Sequence, residues 1–194
     1  MRAIMGGTFD PPHVAHLVAG EAAYQQLGVD VVTFIPAGSP WQKPTDGVSP
    51  AEQRWEMTRL AVAGVDYFEA DDREVRREGW TYTIDTLDSY DHEEITLILG
   101  ADAAAGLGSW QRGEEIANRA SIAVVPRPGT DPDAVEAAID VPFTWLDVPL
   151  LDISGTMLRE RSRAGGSIRF LVRDPVWRYV IEHDLYVAER TSPL

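Results

Sequence analysis

The chain has no cysteine, which excludes disulfides, thiolate metal sites and a cysteine nucleophile, and which agrees with a reducing cytoplasm. Long apolar runs are missing as well. Nowhere do the ~18 uninterrupted apolar residues of a membrane helix occur, and the start, MRAIMGGTFD, has no apolar stretch behind a basic segment. The expectation is a cytoplasmic protein with no membrane partner. Lysine is nearly absent, Lys43 being the single one, and 17 basic against 31 acidic residues give a formal net charge of -14. Nucleic-acid backbones are held by fields of lysine and arginine, so this balance argues against a DNA or RNA partner. The acidity itself reads as solubility or adaptation to salt. Against that background Arg159, Arg161, Arg163, Arg169, Arg173 and Arg178 crowd one C-terminal stretch, and a local basic cluster in an acidic chain suits small anions.

With 194 residues, 44% of them hydrophobic and 25% charged, the chain has the size and composition of one soluble domain. Short β-rich runs at Ala3–Met5, Val31–Ile35, Ile95–Leu99, Ile122–Val125 and Phe143–Leu146 read as strands. Helical segments lie between them, at Val14–Leu27, Pro50–Val62, Thr83–Tyr90, Gly113–Asn118 and Asp131–Ala138. Strand runs that do not alternate are buried on both faces, and the β-α order implies a parallel sheet covered by helices. This predicts one doubly wound α/β domain over residues 1–194. Its C-terminal helical part, residues 152–194, carries helices at Gly155–Ala164 and Pro175–His183. Ligands of such sheets bind at the carboxyl ends of the strands.

After the first strand comes Gly6-Gly7-Thr8-Phe9-Asp10-Pro11-Pro12-His13-Val14-Ala15-His16. Paired glycines permit a sharp turn and a close approach to a ligand, and prolines suit a helix entry. A tight strand-to-helix turn accounts for those residues without any ligand, but it leaves the histidines unexplained. His13 and His16 fall on one side of the first helical turn, beside N–H groups that favour anions. A bare histidine pair also fits a surface accident or a helix-face metal pair; its place after a Gly-Gly turn favours phosphate. At the other end, Ser154 and Thr156 of Asp152-Ile153-Ser154-Gly155-Thr156-Met157-Leu158-Arg159 cap a helix start. Arg159 completes an anion cradle there. Neither a G-x-G-x-x-G fingerprint nor a P-loop is present.

The first-strand loop resembles that of the nucleotidyltransferase superfamily, whose tetrad His-x-Gly-His is here His-Val-Ala-His. GGTFDPPH as a whole resembles the nicotinate-nucleotide adenylyltransferase branch, and ISGTMLR resembles that family's Ile-Ser-Ser/Ala-Thr-x-x-Arg. The tail SIRFLVRDPVWRYV follows the family too, with Arg173 where many members carry proline. Three middle segments extend the likeness: Pro40-Trp41-Gln42-Lys43, Gly79-Trp80-Thr81-Tyr82-Thr83-Ile84-Asp85-Thr86-Leu87, and Gly100-Ala101-Asp102 leading to Trp110. The resemblance implies a Rossmann-like fold of the nucleotidyltransferase type and transfer of AMP from ATP to nicotinate mononucleotide. It implies ATP binding by Gly6, Gly7, Thr8, Phe9, His13, His16, Ser154, Thr156 and Arg159, with His13, His16 and Arg159 catalytic. His16 would lie nearest the α-phosphate, and Arg159 with Ser154 and Thr156 would hold the leaving phosphates.

For the acceptor, Lys43 offers a charge to its phosphate and Trp110 a face for a pyridine ring. The resemblance adds Tyr82 and Thr83 at the nicotinate carboxylate. Asp102 reads as a cap of the helix after Gly100 that can also touch ribose or metal-bound water. Arg54, on a helix, reads as a salt-bridging surface residue. Mg²⁺ is expected with ATP, bound mainly through phosphates, with no protein metal cage. A homo-oligomer is compatible with the sequence. Two rivals stay open: an adenylyltransferase that takes nicotinamide mononucleotide or both mononucleotides, and a nucleotide-binding sensor without turnover.

Overall fold

A computed structural model of the chain describes residues 1–39, 47–90 and 94–187. Six strands, β1 (Arg2–Gly7), β2 (Val31–Pro36), β3 (Phe68–Ala70), β4 (Ile95–Gly100), β5 (Ser121–Val125) and β6 (Phe143–Trp145), form one sheet. Its order is β3-β2-β1-β4-β5-β6 and every pairing is parallel. The periodicity predicts five of these. The sixth, β3, is a three-residue edge strand of sequence Phe-Glu-Ala, too short to carry a period of two. The chain order reverses between β1 and β4, so the crevice expected to take ligands opens above these two central strands.

The helices are α1 (Val14–Leu27), α2 (Ala51–Val62), α3 (Thr83–Asp88), α4 (Ala101–Ala105), α5 (Gly113–Arg119), α6 (Pro132–Ala138), α7 (Gly155–Arg163) and α8 (Asp174–Glu182). The two faces of the sheet are both covered. Leu97 and Leu99 of β4 join one apolar cluster with Leu87 of α3, Ala104 of α4, Ile116 of α5 and Val135 of α6. Ile98, between them, points the other way and packs with Ala19 and Ala23 of α1. Both leucines and the isoleucine are buried, which is why the strand reads as a continuous apolar run. Helix α4, Ala-Asp-Ala-Ala-Ala, is expected only as the helix after Gly100 and is marked by no periodicity, because five residues hold too little of a 3.6-residue period to signal it.

A third cluster joins the C-terminal part to the sheet layer. Met57 and Ala61 of α2 meet Leu158 of α7, Ile168, Val172 and the α8 residues Val176 and Val180. The polar seam beside it is equally specific: the Arg173 side chain donates to the carbonyls of Ala61 and Ala63 at 3.0 and 2.6 Å. Those carbonyls end α2 and have no partner within the helix, and a cation is favourable there. Leu158 is fully buried in this cluster. Leu158→Ala is therefore expected to lower stability by about 3 kcal/mol in urea unfolding, through lost transfer and a residual cavity. A loss below about 1 kcal/mol would contradict integral packing of α7 against α2.

Candidate active site

Gly6 and Gly7 do not make the turn expected of them: both belong to β1, in register with Ile35 and Pro36 of β2. Their value is lack of bulk. Among the described residues, chain neighbours aside, no atom lies within 4 Å of where a Cβ on Gly6 would stand, and a Cβ on Gly7 would meet the Phe9 ring at 3.0 Å. The turn comes later, at Phe9, whose φ of 49° is left-handed. Its ring is buried and meets His16 edge-on at 4.9 Å between centroids. Phe9 thus supports His16 from the core side, and only its backbone is turned to the loop.

His13 and His16 come together as the spacing implies, their rings stacked at 3.7 Å. The His13 N–H donates to His16 Nδ1 at 3.2 Å, which places the proton of a neutral His16 ring on Nε2. The N–H groups at the start of α1 are less available than expected: that of Val14 goes to Leu171 O and that of His16 to His13 O, both at 3.0 Å. His13 is 5% exposed, and its Nδ1 is buried with no hydrogen-bond partner among the described residues. Burial first, and the Arg127 guanidinium second, lower its pKa to about 4. His13 is therefore neutral at pH 7.

Helix α7 brings the second element to the same loop. Ser154 is its N-cap, its Oγ accepting from Met157 N–H at 3.2 Å, and Thr156 Oγ1 accepts from Arg159 Nη2 at 3.3 Å. Arg159 Nη1 donates to the main-chain oxygen of Asp10 at 2.8 Å, so the two ends of the chain meet where both signatures predict an anion. A Cβ on Gly155 would lie 2.8 Å from that same oxygen, too close for any residue but glycine. Of the bonds recorded for its cluster, those of Arg159 reach the loop after β1. Arg161 donates to Ser167 O, Arg173 ends α2, and Arg169 and Arg178 pair with Asp174. Most of what reads as an anion-binding patch is thus internal structure.

Arg54 is not a surface residue. It is 2% exposed and donates from Nε to Ser49 O at 2.9 Å, from Nη1 to Thr8 O at 2.9 Å and from Nη2 to Gly38 O at 2.8 Å. It clamps the loops after β1 and β2 together. Asp10, also 2% exposed, accepts from Ser49 N–H on Oδ2 at 3.1 Å and from the Tyr186 hydroxyl on Oδ1 at 2.6 Å. Neither position stands out in the sequence, since charged side chains on a helix and in a loop usually face water.

These loops frame a cavity of about 760 Å³ at the carboxyl ends of β1 and β4, the size of a nucleotide site. Gly6, Gly7, Thr8, His13, His16 and Ser154 are among its lining residues, as are Thr83, Asp102 and Trp110. Tyr82 takes the N-cap position of α3 and, like Trp110, packs against the cluster beneath. Lys43 lies outside the described residues. Asp102 does not cap α4: Gly100 is the N-cap, and Asp102 points outward, 3.8 Å from Arg127. Two lining residues had no signal of their own. Arg127 follows β5 and faces Gly100 across the mouth at 3.4 Å from a Cβ placed there; its position after a strand end is the hint. Glu74 is a buried carboxyl in the wall, accepting from the Thr86 hydroxyl at 2.6 Å, and burial raises its pKa. Its carbonyl oxygen excludes any side chain on Gly38, whose Cβ would lie 2.1 Å away.

Two outcomes follow from this geometry. Arg54→Met would leave three carbonyls without donors and is expected to lower stability by about 3 kcal/mol or more in urea unfolding; an unchanged midpoint would refute the clamp. For His13, the unfolded ring titrates near 6.5 and the folded one near 4. The unfolded state then binds more protons between those values. The contribution of His13 is fully present above pH 6.5 and is lost as pH falls towards 4. A polyanion beside the ring would raise its pKa again, so binding of inorganic triphosphate below neutral pH is expected to take up protons, read by calorimetry in buffers of different ionisation enthalpy. Net proton release on binding would rule this out.

A family model described as cytidylyltransferase-like matches residues 4–161. A protein of Salinibacter ruber, named a probable nicotinate-nucleotide adenylyltransferase, is 40% identical over 191 residues, covering 94% of this chain and 96% of its own. One of Leifsonia xyli, of the same name, is 42% identical over 187 residues, with 94% and 92% covered. Among solved structures, nicotinic acid mononucleotide adenylyltransferase of Plasmodium falciparum complexed with NaAD has the same fold, with a TM-score of 0.78 at 18% identity and 95% and 96% covered. By sequence over nearly its whole length, and by fold, the chain belongs to the nicotinate-nucleotide adenylyltransferase family within the cytidylyltransferase-like proteins.

Proposed function

We infer that the chain transfers AMP from ATP to nicotinate mononucleotide, giving nicotinate adenine dinucleotide and pyrophosphate in NAD biosynthesis. The observation that carries this is the bond from Arg159 Nη1 to Asp10 O, which joins two anion-binding elements from opposite ends of the chain beside one cavity. One element alone would suit any phosphate; two in sequence along a cavity suit a triphosphate.

In the reaction an oxygen of the mononucleotide phosphate forms a bond to the α-phosphorus of ATP. The bond from that phosphorus to the bridging oxygen breaks, and pyrophosphate leaves with the electron pair. A phosphate needs no deprotonation to attack near neutral pH, so positioning and charge stabilisation carry the catalysis. His16, with its ring proton on Nε2, is suited to donate to an α-phosphate oxygen. His13 is neutral in the free protein and gains a proton more readily as negative charge arrives. Arg159, Ser154 and Thr156 are suited to the leaving phosphates, and the backbone at Gly6 to Phe9 to the chain of phosphates between. Thr83, Tyr82, Trp110, Asp102 and Lys43 are assigned to the mononucleotide, with the Trp110 ring against the pyridine.

Mg²⁺ fits as a companion of ATP. The described residues contain no cluster of three or more metal-ligating side chains, and Asp10, the carboxylate nearest the phosphate loop, is already hydrogen-bonded on both oxygens. The triphosphate and water would thus supply the ligands, and the ion would offset phosphate charge. A cytoplasmic location is inferred from the absence of cysteine; no described helix is long and apolar enough to cross a membrane.

The test is pyrophosphate release from ATP and Mg²⁺ with nicotinate mononucleotide, nicotinamide mononucleotide or phosphopantetheine supplied one at a time. Turnover is expected to be fastest with nicotinate mononucleotide, and His16→Ala to lower kcat by about a hundredfold or more without loss of fold. Faster turnover with either other acceptor would overturn the assignment.

A further inference from the structure

Tyr186 reaches the active-site loop from the far end of the chain. Its hydroxyl donates to Asp10 Oδ1 at 2.6 Å and lies 3.7 Å from Met57 Sδ, in a setting where Tyr186 is 8% and Asp10 2% exposed. The ring alone would fill this part of the cluster between α2 and α8 as phenylalanine would. The hydroxyl is the informative atom, because a buried O–H is there only if it has a partner. Burial and the adjacent Asp10 charge push the phenol well above its ordinary pKa, so it stays a donor at every physiological pH.

The backbone around Tyr186 is bent to make this contact. Asp184 and Tyr186 have φ values of 50° and 60°, a left-handed conformation that aspartate tolerates better than most residues and that a bulky aromatic residue rarely adopts. Leu185 N–H bonds back to Val180 O at 2.9 Å, which holds the segment against the end of α8. At the other end of the link, Asp10 accepts Ser49 N–H on its second carboxylate oxygen and lies 3.7 Å from Arg159 Nη1, while its main-chain oxygen accepts Arg159 Nη1 at 2.8 Å. Arg159 Nε is buried and has no partner among the described residues, so the Asp10 carbonyl and Thr156 are the recorded anchors of this guanidinium.

We propose that Tyr186 is a positioning residue for the leaving-phosphate end of the reaction: by fixing Asp10 it holds the Arg159 guanidinium in place against the phosphate loop. This rests on the adenylyl-transfer reading above. A hydroxyl that served only packing would affect stability alone; one that acts through Asp10 affects what Arg159 does.

The experiment is a double-mutant cycle of Tyr186→Phe and Arg159→Ala, with melting temperature, kcat and KM for each substrate and the ATP Kd measured on all four proteins. Tyr186→Phe is expected to lower kcat/KM for ATP and weaken ATP binding by about five- to tenfold, the loss of one hydrogen bond to a charged group. KM for nicotinate mononucleotide is expected to stay within about twofold, and the same substitution to have no further effect once Arg159 is alanine. Wild-type ATP parameters with only a lower melting temperature would overturn the proposal, as would effects that multiply in the double variant. If the parent protein released no pyrophosphate with any mononucleotide, the functional reading would fail, and the ATP Kd values of the same cycle would still decide the role of Tyr186.

Discussion

Arg54 buries a full positive charge between the loops after β1 and β2, and the three recorded acceptors of its guanidinium are main-chain carbonyls, those of Thr8, Gly38 and Ser49. Desolvating a cation is costly unless its donors are matched and a counter-charge is near. Burial weighs against the charge here, and the nearby carboxyl groups of Asp10 and Glu74 act in its favour. The planar fork is what makes this work: donors set at fixed angles hold three separate strands of backbone in one relation, which a lysine could not do. Once Thr8 O is held, Phe9 is placed for its left-handed turn and Asp10 for Arg159. Once Gly38 O is held, the Glu74 carbonyl can close over Gly38, and Ser39 O can take the Thr81 N–H at 3.2 Å. Both ends of the cavity therefore take their geometry from one residue that faces neither.

That dependence explains what the sequence discloses and what it does not. The sheet is legible because β1, β2, β4 and β5 are apolar runs buried on both faces, and the period of the flanking helices is long enough to recognise. The three-residue β3 and five-residue α4 are not, because their existence depends on neighbours. Of the site, most of the parts that touch the cavity are legible, Arg127 and Glu74 excepted. His13 and His16 stand at a telling place, and Ser154 to Arg159 at another. The parts that hold these in place are hidden, since Arg54, Asp10, Glu74 and Tyr186 have the composition of surface residues and acquire their meaning only when folding buries them together. Gly6-Gly7 marks the intermediate case: the motif points to the right place for the wrong local reason, because the glycines are extended strand and the turn belongs to Phe9.

The cluster of C-terminal arginines has the opposite lesson. Counted along the chain, it reads as a basic patch; placed in space, Arg161, Arg169, Arg173 and Arg178 each have carbonyl or carboxylate partners in their own part of the protein. In a chain with a net charge of -14, two anionic substrates are not gathered by a general field. They have to be met by few groups that are precisely held, and the neutral His13 fits that requirement. A buried imidazole whose pKa has fallen to about 4 adds no uncompensated charge to the empty site, yet becomes a cation more easily as phosphate charge enters.

The C-terminal part is accordingly less an appendage than one wall of the site. It supplies the Leu171 carbonyl that takes the first N–H of α1, the Arg173 side chain that ends α2, the Arg159 fork and the Tyr186 hydroxyl. Each of these meets an element from the first 63 residues, across a cluster built from α2, α7 and α8. Loosening that cluster would move Arg159 relative to Asp10 while leaving the sheet and the histidine pair intact. In such a protein the wall of the cavity built on α3 and the turn before Trp110 would retain its form when the contact between Arg159 and Asp10 was lost. Two parts of the site thus rely on separable pieces of packing, and the clamp at Arg54 joins them.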